Sequence, residues 1–134
     1  GDAVVIRAAR ERIQPSDGVI VYPHGTIGVG YYGPWPIRLV PWADYAHNFH
    51  VVIERPTTLG LSPYRGYRHN PAGIDRELAS FLATRYARVV YIAASLVHPS
   101  VHQRILRGLT QYGYKVEEEV HSEASQMLVF GRPL

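Results

Sequence analysis

The chain has 134 residues, 46% of them hydrophobic and 19% charged, which suits one globular domain with its own core and leaves little room for a second. Its formal charge is +3 with a sequence pI near 9.3, and the basic residues are scattered without a Lys/Arg block, so no nucleic-acid partner is expected. The absence of cysteine excludes disulfides, thiolate metal sites and thiol catalysis, and leaves the redox compartment open.

The first element is a helix from Asp2 to Ile13, with an apolar stripe of Ala3, Ile6, Ala9 and Ile13. "QPSDG" then supplies turn chemistry, and "VIVY" (19–22) is short, β-branched and apolar, as a central strand is. Between Pro23 and Trp42 four prolines and a cluster of glycines interrupt regular structure. A single short helix around 26–32 and a short strand, "IRLV" (37–40), fit there. "FHVVIE" (49–54) is the second strong strand, and 55–70, rich in turn formers, reads as a long surface loop.

Asn70-Pro71 is a helix start, an N-cap followed by proline at the first helical position. That helix should run to about Tyr86, with Ile74, Leu78, Phe81 and Leu82 on its apolar face and Asp75 and Glu77 where the dipole favours acids. "RVVYIAA" (88–94) is the third strong strand. A helix follows over 98–113, with a stripe of Val101, Ile105, Leu109 and Tyr112 and Gly113 as its C-cap. "KVEEEVH" and "QMLVFGR" close the chain as two antiparallel strands at a sheet edge, where Glu117 to Glu119 form a solvated face that discourages aggregation.

This alternation predicts a three-layer, Rossmann-like α/β domain whose sheet is mainly parallel with an antiparallel C-terminal edge. No apolar run approaches the roughly 20 residues that cross a bilayer, and no signal peptide is visible. The abrupt start at Gly1-Asp2 inside a helical pattern suits a single domain, 1–134, excised from a longer membrane protein.

Several motifs spell chemistry. Gly28-Val-Gly30-Tyr-Tyr-Gly33 fits the letters of G-x-G-x-x-G. A dinucleotide turn, however, needs its first glycine at the strand end and its last opening a helix. Here Gly28 comes six positions after Tyr22, although Glu54 ends a later strand where a ribose-binding acid would sit. Pro34 and Pro36 stand where the helix should grow. The run therefore reads as a glycine turn packed by Tyr31, Tyr32 and Trp35, and no cofactor is expected. His98 and His102 are four apart, and His47 and His50 form another close pair, but zinc wants a third ligand and a second shell. These histidines read as capping or surface residues, with no metal expected. No G-x-S-x-G elbow and no spaced carboxylate pair is present; Asp17 reads as the turn residue opening the first strand and Asp75 as a first-turn acid.

The aromatics are unevenly spread. Tyr22, Tyr31, Tyr32, Trp35, Trp42, Tyr45, Tyr64 and Tyr67 crowd the first half of the chain, with His24, Arg65, Arg68 and His69 among them. They either pack loops onto the sheet or offer a surface for an amphipathic ligand.

"IQPSDGVIVYPHGTIGVGYYGP" resembles a pattern that follows the last membrane helix of many bacterial glycosyltransferases of the GT-C type, the polyprenyl-phosphate-sugar-dependent enzymes related to protein mannosyltransferases. In that pattern a helix leads to (L/I)-x-P-x-D, then to a hydrophobic strand ending in Tyr, then to small residues reaching Tyr-Tyr or Tyr-Gly. "RVVYIAASLVH", "HQRILRGLTQYGYKV" and "ASQMLVFGRP" extend the likeness over nearly the whole chain. The resemblance implies a C-terminal domain on the extracytoplasmic face of the bacterial cell membrane, tethered by upstream helices. It implies catalysis by acids of the membrane part, so no catalytic residue is carried over. The implied partners are the membrane-embedded part of the parent protein and a glycan or polyprenyl-phosphate sugar.

Open α/β sheets bind ligands past the C-terminal ends of their strands. The candidate binding residues are therefore His24, Tyr31, Tyr32, Trp35, Tyr64, Arg65 and His69. Two other classes stay open: a free-standing nucleotide- or cofactor-dependent enzyme, which needs glycines cradling a phosphate, and a protein-interaction module, which needs a dry apolar patch.

Overall fold

The structure is a computed structural model that describes residues 2–21, 35, 37–41, 49–60, 72–93 and 99–133. The elements are α1 (Asp2–Arg12), β1 (Gly18–Val21), β2 (Ile37–Pro41), β3 (Phe49–Ile53), β4 (Thr58–Gly60), α2 (Ala72–Leu82), β5 (Arg88–Ala93), α3 (Pro99–Gln111), β6 (Lys115–Ser122) and β7 (Ser125–Gly131). Five strands form one sheet in the order β4-β1-β5-β7-β6, and β2 and β3 pair as a separate antiparallel ribbon. β4, β1 and β5 are mutually parallel, whereas β7 runs antiparallel to both β5 and β6. The sheet is thus mixed, half parallel and half antiparallel, where a mainly parallel one was expected. The antiparallel C-terminal edge is as predicted.

Alternation along the strands sorts the core into two faces, because successive strand side chains point to opposite sides. Ile20, Val89, Tyr91, Ala93, Leu128 and Phe130 pack with α2 and α3 through Ile74, Leu78, Leu82, Ile105 and Leu109. Val19, Val21, Val90, Ile92, Met127 and Val129 pack with α1 through Val5, Ile6, Ala8 and Ala9. Each side chain of this size contributes about 1.5–3 kcal/mol on burial, so these two clusters are the main source of stability.

Several local expectations shift. The buried face of α1 is Val5, Ile6, Ala8 and Ala9, while Val4 is exposed; its contact stripe is wider than the Ala3-Ile6-Ala9-Ile13 line. α2 stops at Leu82, four residues before the predicted end. Arg85 adopts a left-handed φ of 59°, and Tyr86 leaves the helix to pack on Phe81 at 4.9 Å between ring centroids. A Cβ at Gly18 would come within 2.6 Å of the Tyr86 ring, so the first residue of β1 is glycine to let that ring lie against it. α3 ends as its sequence predicts. Gly113 has φ 88°, and the Tyr114 N–H to Leu109 C=O and Gly113 N–H to Thr110 C=O bonds, both 3.0 Å, make a Schellman cap.

β4 lies inside the stretch read as a long loop. It has only three residues between Pro56 and the following segment, too few for an apolar pattern, and it exists because β1 offers it a parallel partner: Val19↔Thr58 through Val21↔Gly60. Conversely "FHVVI" forms a strand as expected but pairs with β2 and stays outside the five-stranded sheet. The short helix expected near 26–32, the G-x-G-x-x-G run at 28–33 and the Asn70-Pro71 start lie outside the described residues.

Candidate functional site

The two ends of the parallel strands differ in kind. At the N-terminal end, called here the foot, Asp17 closes the turn before β1. It is buried, its Oδ2 accepts the Gln14 N–H at 2.8 Å, and the same oxygen lies 3.3 Å from Arg88 Nε. That nitrogen is buried without an aligned hydrogen bond, so its contact with Asp17 is an ion pair only. The Arg88 Nη2 donates to the Arg12 carbonyl at 2.5 Å, tying β5 to the end of α1. Arg55, just before β4, donates to the carbonyls of Gln14 and Asp17 at 3.0 and 3.1 Å. Its other nitrogen reaches Thr57 Oγ1 at 2.6 Å. Burial pulls the Arg55 pKa down and the Asp17 charge opposes that shift; a guanidinium remains charged throughout the physiological range. Tyr114 donates to the Tyr86 carbonyl at 2.6 Å, and burial raises its pKa. Apart from Arg88 Nε, which has only its ion pair with Asp17, these groups are spent on backbone or on one another, so the foot is scaffold. Asp17 is the turn residue its sequence position predicts.

At the C-terminal edge, Val21 is in register with Gly60 on one side and Ile92 on the other. The chain therefore leaves β1, β4 and β5 at one rim. The segments that follow β1 and β4 carry His24, Tyr31, Tyr32, Tyr64, Arg65 and His69 in sequence, and these six lie outside the described residues. Trp35 is described. It is half-buried against the α1-side cluster, with the Arg55 guanidinium carbon 5.4 Å from its ring centroid. That guanidinium belongs to the foot. α2 and α3 both begin at the rim, after β4 and β5 respectively, and direct their N-terminal N–H groups that way.

One buried polar pair stands at this edge. His102, in the first turn of α3, is 8% exposed, and Tyr91 of β5 is fully buried. Tyr91 OH and His102 Nδ1 share a hydrogen bond at 3.0 Å, with the rings 26° from parallel. Burial alone lowers the His102 pKa. The sequence reading placed His102 at the surface or in a cap; the structure corrects this. The signal was its spacing of three from Ile105 and seven from Leu109, the two apolar residues buried with it on α3. Its polar type hid it from a stripe drawn through Val101 and Tyr112, of which Tyr112 proves exposed.

Elsewhere, Asp75 in the first turn of α2 pairs with Arg104 of α3 at 2.5 Å, across an open groove of about 370 Å³ between the two helices. A Cβ at Gly108 would overlap Leu78 Cδ2, so glycine sets how closely these helices approach. Glu117, Glu118 and Glu119 are exposed on the edge strand β6, as predicted, and Glu118 also binds Arg12 at 2.6 Å. Among the described residues no cluster of three or more His, Asp or Glu side chains could hold a metal ion. No helix of the described residues is long and apolar enough to cross a membrane. The exposed large apolar residues Val4, Tyr112 and Val116 sit on separate segments.

The chain matches no protein-family model and no curated protein in sequence.

Proposed function

We propose that this chain is the extracytoplasmic C-terminal domain of a GT-C type membrane glycosyltransferase, with a three-layer, Rossmann-like core. It positions an acceptor glycan or a polyprenyl-phosphate sugar beside the membrane-embedded part of the parent protein and performs no catalysis itself. The observation that carries this reading is the convergence of the β1 and β4 ends at Val21 and Gly60, with aromatic and basic residues in both segments that follow. Tyr31, Tyr32 and Tyr64, carried by those segments, suit a ligand with sugar faces and a prenyl chain. His24, Arg65 and His69 suit its phosphate. Trp35, with the Arg55 guanidinium over its ring, ends the first of these segments in sequence. The likeness of segment order to the C-terminal part of such enzymes supplies the membrane context.

The test is an NMR titration of the labelled chain with polyprenyl-phosphate analogues and oligosaccharides. Saturable shifts at Tyr31, Tyr32, Tyr64 and Arg65 are expected; shifts confined to residues remote from Tyr31 and Tyr64 would sink the proposed surface. The membrane tether is checked separately, since the parent gene must encode a series of roughly 20-residue apolar segments upstream.

A further inference from the structure

The groove between α2 and α3 is built from described residues. Its apolar floor is Leu78 and Ala79 of α2 against Gly108 of α3. Glycine is a poor helix former, and its place inside α3 is explained by this close approach, since a Cβ there would overlap the Leu78 side chain. Tyr112 also lines the groove and is 36% exposed. Its hydroxyl donates to the Ala79 carbonyl at a long 3.5 Å, so the ring reaches from α3 to α2 with part of its surface open.

The polar lining has more donors than acceptors. Arg104, Arg107 and Gln111 follow one another along α3 at spacings of three and four, so they share a face. Arg104 is matched by Asp75 across the groove at 2.5 Å. The side chains of Arg107 and Gln111 are exposed and make no hydrogen bond or ion pair among the described residues. Two guanidiniums, Arg104 and Arg107, against one carboxylate, Asp75, leave the lining with one positive charge. α3 itself carries no acid to offset it.

We propose that this groove binds a small monocarboxylate with an apolar body. The carboxylate sits on the Arg107 guanidinium, whose planar fork matches two carboxylate oxygens, and the Gln111 amide supplies a further donor. The hydrocarbon part covers Leu78, Ala79 and the open side of the Tyr112 ring. Three features select this class of ligand. The groove volume, about 370 Å³, lies at the small end of ligand clefts. One carboxylate neutralises one net charge, whereas a phosphate monoester brings roughly −1.5 to −2 at neutral pH and would face Asp75. The floor is apolar, so an ion without a hydrocarbon body would leave it wet. The site shares no residue with the binding surface proposed above, and the two stand or fall separately.

The experiment titrates the whole ¹⁵N-labelled chain with benzoate, hexanoate, benzamide and phenyl phosphate. Benzoate and hexanoate should saturably shift the amides of Ala79, Gly108, Gln111 and Tyr112 and the Arg107 Nε–H. Benzamide, which keeps the shape and loses the charge, should bind about tenfold more weakly than benzoate. Arg107→Gln should weaken benzoate about tenfold, and Arg107→Lys, which keeps the charge and loses the fork, about threefold. Both variants should unfold at the wild-type temperature, because Arg107 is exposed and unpartnered among the described residues. Asp75→Asn leaves both guanidiniums unopposed and should reverse the preference, so that phenyl phosphate binds more tightly than benzoate.

Absent shifts, or shifts outside the groove, overturn the proposal. So does an Arg107→Gln variant that binds benzoate as the wild type does. Benzamide binding as tightly as benzoate would reduce the groove to an apolar surface and overturns it too. A wild type that already prefers phenyl phosphate overturns the choice of a monocarboxylate.

Discussion

The foot and the rim of the same three parallel strands are built on opposite principles. At the foot, charged side chains are spent on backbone: Arg55 holds the carbonyls of Gln14 and Asp17, and Arg88 holds that of Arg12. At the rim the strands end on small or aliphatic residues, Val21, Gly60 and Ala93, and the polar pair beneath, Tyr91–His102, joins side chain to side chain. A scaffold satisfies its polar groups internally, whereas a binding surface keeps some for a ligand. The contrast makes a separable prediction: foot substitutions should cost stability and spare ligand binding, and rim substitutions the reverse.

The largest effect belongs to Asp17→Ala. It removes a buried carboxylate, leaves the Gln14 N–H without its acceptor and strips Arg88 of its counter-charge. Breaking such a pair should cost about 3 kcal/mol, or roughly 10 °C in Tm for a domain of this size. Thermal or urea unfolding measures it, and farnesyl phosphate affinity of the folded protein should be unchanged. Next comes Arg55→Met, which keeps the stem and removes the bonds to Gln14, Asp17 and Thr57. A loss of about 2 kcal/mol is expected from charge-assisted bonds of this kind. Tryptophan fluorescence should also change, because Arg55 covers Trp35. A Trp35 spectrum indifferent to Arg55→Met would detach that residue from the foot.

At the rim the expected stability effect is smaller and depends on pH. His102 has its pKa lowered from the ordinary 6.5 by burial, so below that pH the unfolded chain binds a proton that the folded one resists. Its contribution to stability is therefore complete above about pH 6.5 and declines as pH falls through the window beneath it. The check is the difference in unfolding free energy between wild type and His102→Gln, measured from pH 7.5 to 5. That difference should shrink on acidification, and a flat difference would show that His102 protonates freely when folded.

What the sequence made legible follows from which signals are local. The β5 run, the Ile74-Leu78 face of α2 and the Gly113 cap are written in neighbouring residues, and each is found where its pattern places it. β4 was not legible, because three residues with no apolar period become a strand only when β1 lies alongside. Nor was the role of Arg55, whose carbonyl partners Gln14 and Asp17 lie 41 and 38 positions earlier in the chain. His102 was hidden differently: its spacing marks it as core, its chemistry marks it as surface, and the surface reading does not hold. Local rules tend to fail at sites with a job besides folding.

The smallest effect tests whether the foot is held by charge or by burial. Arg12 and Glu118 approach to 2.6 Å, closer than Arg88 and Asp17 at 3.3 Å, but Glu118 is 46% exposed and Asp17 only 3%. If proximity decided, the Arg12–Glu118 pair would be the stronger. Solvent screening reverses this order: an exposed ion pair contributes about 0.2–1 kcal/mol and weakens with salt. A double-mutant cycle with Arg12→Met and Glu118→Gln should therefore give a coupling below about 1 kcal/mol that fades between low and 0.5 M salt. The Asp17→Ala loss should persist at the same salt, since a carboxylate shut away from water is not reached by counterions. A coupling for Arg12 and Glu118 that survives high salt would mean that β6 is clamped to α1 by charge, and that the scaffold extends out to the edge strand.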